Sequence, residues 1–249
     1  MIKRSKPLIG ITPDVQDAAA NDSTEKGEAV FFLRARYASA ILQAGGIPVI
    51  LPISSSRTRI RESLDRLSGV VVTGGNFDIH PRHYRETPGE ELGNIKEDRT
   101  SFELEVISYA LKKDLPLLGI CGGTQAINVV LGGSLYQHIA RQIPGATNHE
   151  KSALKETGGH KVHIKAGTKL KRIVRRDSID VNTTHHQSIK NLGRSLIVNA
   201  VAGDGVVEGI ESRDHSFVLG LQWHPEFLTR RSIAQKKIFT AFIRACERY

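Results

Sequence analysis

The sequence predicts an α/β fold: a doubly wound, mostly parallel sheet flanked by helices, with an antiparallel extension. Three observations carry that expectation. Short apolar runs alternate with segments of helical period through the first half of the 249 residues, the βαβ rhythm of a parallel sheet. The second half, from Lys161 through Ile210 to Leu221, is richer in strand-like runs before a closing helix. Gly74, Cys121 and His224 each follow a central run directly, as expected where reactive groups gather at the carboxyl ends of parallel strands.

In chain order, Pro7 to Ile11 reads as the first strand and the segment from about Glu28 to Ala44 as a helix. Ile47 to Leu51 follows as a strand, Arg57 to Leu67 as a helix and Gly69 to Thr73 as a strand. A helix from about Thr100 to Lys112 feeds the apolar run Leu115-Pro116-Leu117-Leu118-Gly119-Ile120, and Gln125 to Leu131 beyond it turns as a helix. Ile179 to Val181 and Phe217 to Leu221 read as later strands, and Arg230 to Glu247 as the closing helix.

Composition limits the classes of function. A chain of 249 residues with 39% hydrophobic content can bury a full core, and no composition break divides it, so one domain over residues 1–249 is expected. No apolar run is long enough to span a bilayer, and Met1-Ile2-Lys3-Arg4-Ser5-Lys6 leads into a strand without a signal-peptide core. The expected location is cytoplasmic. Of the two cysteines, Cys246 lies in the closing helix and reads as a structural thiol, so no disulfide framework is expected. The net charge is +9, and Lys161, Lys165, Lys169, Lys171, Arg172, Arg175 and Arg176 crowd one stretch. That stretch lacks the aromatic interleaving of a single-strand platform, so it reads as a solvated face and no nucleic-acid partner is expected.

The chemistry begins at Cys121. An apolar run that ends in Cys121-Gly122-Gly123 and continues as a helix places the sulfur at a strand-to-helix corner, a nucleophile elbow. The partial positive charge of the helix N-terminus favours an anionic sulfur there. A cysteine nucleophile needs a base and a group to orient it. Gln222-Trp223-His224-Pro225-Glu226 supplies both: Pro225 prevents simple helical continuation, and Glu226 folds back to accept an imidazole N–H. The expected triad is Cys121, His224 and Glu226. A tetrahedral oxyanion needs backbone N–H donors that approach closely, and Gly75 and Gly122 are the expected pair.

These motifs carry a resemblance. Gly119-Ile120-Cys121-Gly122-Gly123-Thr124-Gln125 followed by His224-Pro225-Glu226 resembles the class I glutamine amidotransferase superfamily, whose fold is flavodoxin-like. Leu131-Gly132-Gly133-Ser134-Leu135-Tyr136-Gln137, Val181-Asn182-Thr183-Thr184-His185-His186-Gln187 and Gly74-Gly75-Asn76-Phe77-Asp78-Ile79-His80-Pro81 resemble its hydrolase branch, the γ-glutamyl-γ-aminobutyrate hydrolase group, peptidase family C26. The likeness runs from Pro7 to the last helix. Gly122 departs from it, because relatives in this branch often carry arginine there.

The resemblance implies hydrolysis of a γ-glutamyl amide through a γ-glutamyl thioester, on a small-molecule substrate such as γ-glutamyl-γ-aminobutyrate, within putrescine catabolism. It implies a substrate contact at Gln125, one helical turn past the cysteine; His185, His186 and Gln187 follow the strand Ile179 to Val181 and are expected to line the pocket, with one histidine contacting substrate or packing beneath it. The alternatives are a glutaminase subunit that passes ammonia to a separate synthetase, and a non-catalytic binding protein on the same fold. A homodimer is left open. No metal or organic cofactor is expected: the spacings His80/His83 and His160/His163 suit a metal, but no cysteine or carboxylate pattern completes a tetrahedral site.

Overall fold

A computed structural model describes residues 5–16, 28–89, 91–151 and 155–249. Its main sheet has nine strands. Five run parallel in the order β4 (Ile47–Ile50), β1 (Leu8–Ile11), β5 (Gly69–Val72), β6 (Leu117–Ile120) and β13 (Val218–Leu221). Four antiparallel strands extend it: β12 (Val207–Ser212), β11 (Leu196–Ala202), β8 (His160–Ile164) and β9 (Ser178–Val181). The mostly parallel sheet with an antiparallel extension is therefore as the sequence predicts. A two-stranded ribbon joins β7 (Ser134–Tyr136) to β10 (Ser188–Asn191).

The central strands are apolar on both faces because helices cover both. Period-two alternation sends Val71, Leu118, Ile120, Leu219 and Leu221 into one core, against α1 (Ala35–Ala44) and α8 (Ile233–Cys246). Val70, Val72, Leu117 and Val218 enter the other, against α2 (Arg57–Leu64), α3 (Glu97–Lys113) and α4 (Gly122–Val130). Each fully buried valine or leucine contributes roughly 1.5–3 kcal/mol of transfer free energy. Cys246 is buried in the first core, in keeping with a structural thiol.

The structure departs from the expected elements at two places. The first helix does not begin at Glu28: Val30–Phe32 form β3, which pairs antiparallel with β2 (Asp14–Gln16), and α1 starts at Ala35 after the extended Arg34. The β-branched and aromatic Val30-Phe31-Phe32 suit a strand once a neighbour is available. The third helix begins a turn earlier than Thr100, with Glu97 and Asp98 at its N-terminus and Lys112 and Lys113 in its last turn, complementing the helix dipole at both ends. This earlier start places Arg99 inside the fold.

Of the basic stretch, Lys161, Lys165, Arg172, Arg175 and Arg176 are exposed, while Lys171 pairs with Asp177 and Lys169 Nζ donates to Ser216 O at 2.9 Å. No described helix is long and apolar enough to cross a membrane.

Candidate active site

The parallel strands β5, β6 and β13 are neighbours, so their carboxyl ends deliver Gly74, Cys121 and His224 to one edge. The backbone ties two of these ends together: Cys121 N–H donates to Leu221 O at 2.8 Å. Cys121 then turns the chain into α4 with φ 53° and ψ −109°, a conformation a non-glycine residue rarely holds. The strain thus sits on the cysteine itself rather than on its glycine neighbours. Gly123 has a different necessity: a methyl there would lie 2.1 Å from Val72 O, so the helix can approach β5 only because that side chain is missing. Cys121 is 6% exposed at the N-terminus of α4.

His224 closes on Cys121 from β13. A methyl built on Gly74 would lie 2.9 Å from both Cys121 Cβ and His224 Cε1, so the three residues pack around one point. Pro225 does not end the helical path there. It occupies the first position of α7 (Pro225–Leu228), where its missing N–H costs nothing, and Glu226 in that first turn reaches back to His224 Nδ1 at 2.7 Å. With Nδ1 on Glu226, Nε2 is the ring nitrogen left for sulfur. Burial works against a charged imidazole, but Glu226 and Cys121 outweigh it and push His224 up to about 10.

The Gly75 and Gly122 N–H groups have no acceptor among the described residues, and a methyl on Gly122 would lie 4.0 Å from Gly75 N. The two residues therefore lie close together beside Cys121, each with its N–H uncommitted. Arg99 holds the loop that presents Gly75. Its buried guanidinium donates to Thr73 O at 3.3 Å and Gly74 O at 3.0 Å, stacks 4.4 Å from the Phe77 ring centroid, and is neutralised by Asp14 and Glu103. A cavity of about 450 Å³ opens onto this edge, lined by Tyr37, Thr73, Gly74, Gly75, Asn76 and His224, with Arg34, Lys96 and Lys155 among its cations. A larger groove of about 1230 Å³ runs along α3 and is lined by neither Cys121 nor His224.

The peptidase C26 family model matches residues 7–226. The chain belongs to the peptidase C26 family. Among its C26 relatives, a glutamine amidotransferase-like protein of Rickettsia prowazekii is 35% identical, with 97% of this chain and 98% of that protein covered. The γ-glutamyl-γ-aminobutyrate hydrolase PuuD of Escherichia coli K12 is 31% identical, with 90% of each chain covered. The fold extends further than the family. A GMP synthase component from Thermoplasma acidophilum superposes with a TM-score of 0.66 at 20% identity, covering 98% of this chain and 96% of that one.

In this C26 chain, none of the four expected substrate contacts lines the smaller cavity, and neither does Cys121 itself. Gln125 is buried at 4% exposure and donates through Nε2 to Gln187 O at 3.1 Å and Gln222 Oε1 at 3.2 Å. Gln187 is buried, its side-chain amide without a hydrogen-bond partner among the described residues. His186 meets Asp78 at 2.9 Å and stacks on His138. His185 turns away from the cavity because its neighbour Thr184 faces it: successive residues of an extended segment point to opposite sides.

Four residues that sequence reasoning passed over complete the site. Gln222 Nε2 lies 3.6 Å from Cys121 Sγ. Asn182 clamps the histidine backbone, its Oδ1 accepting from His224 N at 2.8 Å and its Nδ2 donating to His224 O at 3.0 Å. Tyr37 OH accepts from Gly74 N at 3.1 Å and lies 3.4 Å from His224 Nδ1. Burial and the Glu226 charge raise its phenol well above the usual range, so it stays neutral. Arg99 is the fourth. Gln222 and Asn182 stand inside the sequence motifs of the site, whereas Tyr37 and Arg99 sit on helices with no local signal.

His185 leads to a second cluster. Its Nε2 lies 3.4 Å from Glu208 Oε1, and the same oxygen is 3.2 Å from His149 Nδ1 and 3.2 Å from His160 Nε2. The other histidine spacings are spent elsewhere: His80 Nδ1 accepts from Arg82 N, His83 meets Glu97, and His163 is exposed on the opposite face of β8 from His160.

Proposed function

We propose that this protein is a cysteine hydrolase that cleaves the γ-glutamyl amide bond of γ-glutamyl amines, with Cys121, His224 and Glu226 as its triad. One observation carries the reading. A cysteine held at a strained helix N-terminus shares a corner with a histidine whose other face is fixed by a carboxylate at 2.7 Å. That is the equipment of covalent acyl transfer. The activity in the name of the PuuD relative suggests the acyl group, and Arg34 and Lys155 around the cavity suit the carboxylates of such a substrate, while Lys96 is committed to Asp14 at 2.7 Å.

The Cys121 thiolate attacks the γ-carbonyl carbon, and the Gly75 and Gly122 N–H groups hold the resulting oxyanion. His224, cationic at neutral pH, gives its Nε2 proton to the departing amine as the C–N bond breaks, leaving a γ-glutamyl thioester. Neutral His224 then takes a proton from water, whose oxygen attacks the thioester. The C–S bond breaks and glutamate leaves. Glu226 keeps Nδ1 protonated throughout, and Asn182 and Tyr37 keep the ring in place.

The test is glutamate release, measured by mass spectrometry, from glutamine and a panel of γ-glutamyl amines by the wild type and by Cys121→Ala. Release that depends on Cys121 and is faster from a γ-glutamyl amine than from glutamine is the expected result. A wild type that releases glutamate from no member of the panel overturns the stand-alone hydrolase reading.

A further inference from the structure

The cluster around Glu208 is assembled from four separate segments. His149 precedes β8, His160 opens it, His185 lies between β9 and β10, and Glu208 is on β12. Glu208 is 0% exposed, yet neither carboxylate oxygen has a hydrogen-bond partner among the described residues. His185 Nε2 and both nitrogens of His160 are likewise buried without one. This is odd for a carboxylate with three imidazoles at 3.2–3.4 Å, since a buried ion of this kind is ordinarily hydrogen-bonded. The separations are those of hydrogen bonds, but the directions are not. Groups aimed at each other would pair, whereas groups aimed at a shared centre leave one another unpaired.

We propose that His149 Nδ1, His160 Nε2, His185 Nε2 and Glu208 Oε1 form a closed structural site for a zinc ion. Four ligands at about 2.0–2.1 Å from tetrahedral zinc stand roughly 3.3–3.4 Å apart, which matches the three measured approaches to Glu208 Oε1. The ligand atoms of His149, His160 and Glu208 all lie within 4.8 Å of one another, so modest side-chain rotation brings these three onto one ion, and His185, which approaches only Glu208 Oε1 at 3.4 Å, swings in as the fourth.

The outer contacts agree for His149 and His185. A metal-bound histidine donates its remaining N–H to a carboxylate or carbonyl. His149 Nε2 meets Asp204 Oδ2 at 3.0 Å, and His185 Nδ1 meets Gln187 O at 3.0 Å. Thr183 Oγ1 gives its proton to His149 O at 2.9 Å and also lies 3.2 Å from His149 Nδ1, a contact that Nδ1 gives up to the ion when zinc binds. Asp204 and Glu208 together carry two negative charges, enough to neutralise a divalent cation. The half-buried His160, with 14% of its side chain exposed, marks the side of entry.

This site takes no part in the chemistry proposed above and does not depend on it. Its role is mechanical. It joins the antiparallel strands to His185, whose Nδ1 holds the same Gln187 carbonyl that receives Gln125.

The experiment uses the full chain with any affinity tag removed. Metal content is measured by mass spectrometry, and thermal midpoints are recorded after chelation and again after adding zinc chloride. About one zinc per wild-type chain is expected, with a Tm that falls on chelation and recovers with zinc. Glu208→Gln and His160→Ala should each retain less than about a tenth of that zinc and lose the response. His163→Ala, on the other face of β8, should behave as wild type. If Glu208→Gln fails to fold, His160→Ala decides, since it removes only one partly accessible ligand. A chelated wild type that neither binds zinc nor shifts its Tm overturns the proposal, as does full zinc occupancy in the His160→Ala and Glu208→Gln variants.

Discussion

At the carboxyl end of β13 one histidine meets one carboxylate two residues away, at 2.7 Å and in hydrogen-bonding geometry. On the adjacent strand β12 one carboxylate meets three histidines from three other segments, at 3.2–3.4 Å and in none. The residue types are the same and the arrangements opposite. His224 has one nitrogen committed and one facing sulfur, which is what proton transfer requires. The Glu208 cluster faces no nucleophile, and its groups converge on each other. A histidine–carboxylate pair is thus defined by where the unused nitrogen points. The topology accompanies the division: parallel strands bring their ends to one edge, while the Glu208 cluster gathers residues from two non-adjacent strands of the antiparallel extension and from two connections.

The largest expected effect separates the two sites. Cys121→Ala should lower turnover by about 10⁴-fold or more, while leaving thermal stability and metal content at wild-type values. Steady-state rates beside a melting curve check it, and a Tm loss as large as that of Glu208→Gln would break the division. Gly123→Ala attacks the same edge through packing. Its new methyl would lie 2.1 Å from Val72 O, part of the backbone of β5, which cannot rotate away. At least about 1–3 kcal/mol of stability should be lost, read as a drop in the denaturant midpoint.

The two regions also differ in how far the sequence reveals them. Gly119-Ile120-Cys121-Gly122-Gly123 and His224-Pro225-Glu226 are local strings, and the apolar runs before them announce the strands that carry them. Position, neighbours and direction are all encoded within a few residues. The Glu208 cluster spans residues 149–208, and the His160/His163 spacing points away from it, because period-two alternation puts those two side chains on opposite faces of β8. The missing carboxylate stood on another strand. Arg99 and Tyr37 were hidden for the same reason, reaching the Gly74 backbone from helices distant in sequence. The β3 segment was misread for a different one: Val30-Phe31-Phe32 becomes a strand only when Asp14–Gln16 is beside it.

Glu226→Gln sharpens the chemical side of the comparison. Glutamine keeps the shape but removes the charge that raises His224, so the rate should fall by roughly 10²–10⁴-fold, less than for the nucleophile. The pH profile should move as well. His224 in the folded protein stands at about 10, above its unfolded value of about 6.5. Its contribution to stability is therefore complete below about 6.5 and is lost as pH rises through about 10. Removing the Glu226 charge lowers the folded value, so the alkaline limb of kcat/KM should shift to lower pH. An unmoved limb would show that Glu226 does not set the protonation of His224.

Asn182→Ala should have a smaller effect, and of a different kind. It leaves the His224 backbone N–H and C=O without the amide that brackets them. An unpaired buried polar group costs about 1–3 kcal/mol, so stability and kcat should fall together while the pH limb stays in place. Asn182→Asp separates the two bonds: it retains an acceptor for His224 N and loses the donor to His224 O. It should recover part of the rate if positioning of His224 is the role.

The smallest expected effect is the most discriminating test of the oxyanion assignment. A methyl on Gly122 meets nothing closer than 3.9 Å, an ordinary contact, and the residue's φ lies outside the left-handed region. Under the oxyanion assignment, Gly122 contributes only its backbone N–H, which every residue except proline also possesses. Gly122→Ala should therefore fold and turn over substrate near the wild-type rate. Measured side by side, Gly122→Ala and Gly123→Ala are adjacent substitutions of identical chemistry with opposite predicted outcomes. Equal damage from both would mean that the elbow depends on glycine flexibility. Damage confined to residue 123 would mean that the site depends on close approach of α4 to β5, with the strain borne by Cys121.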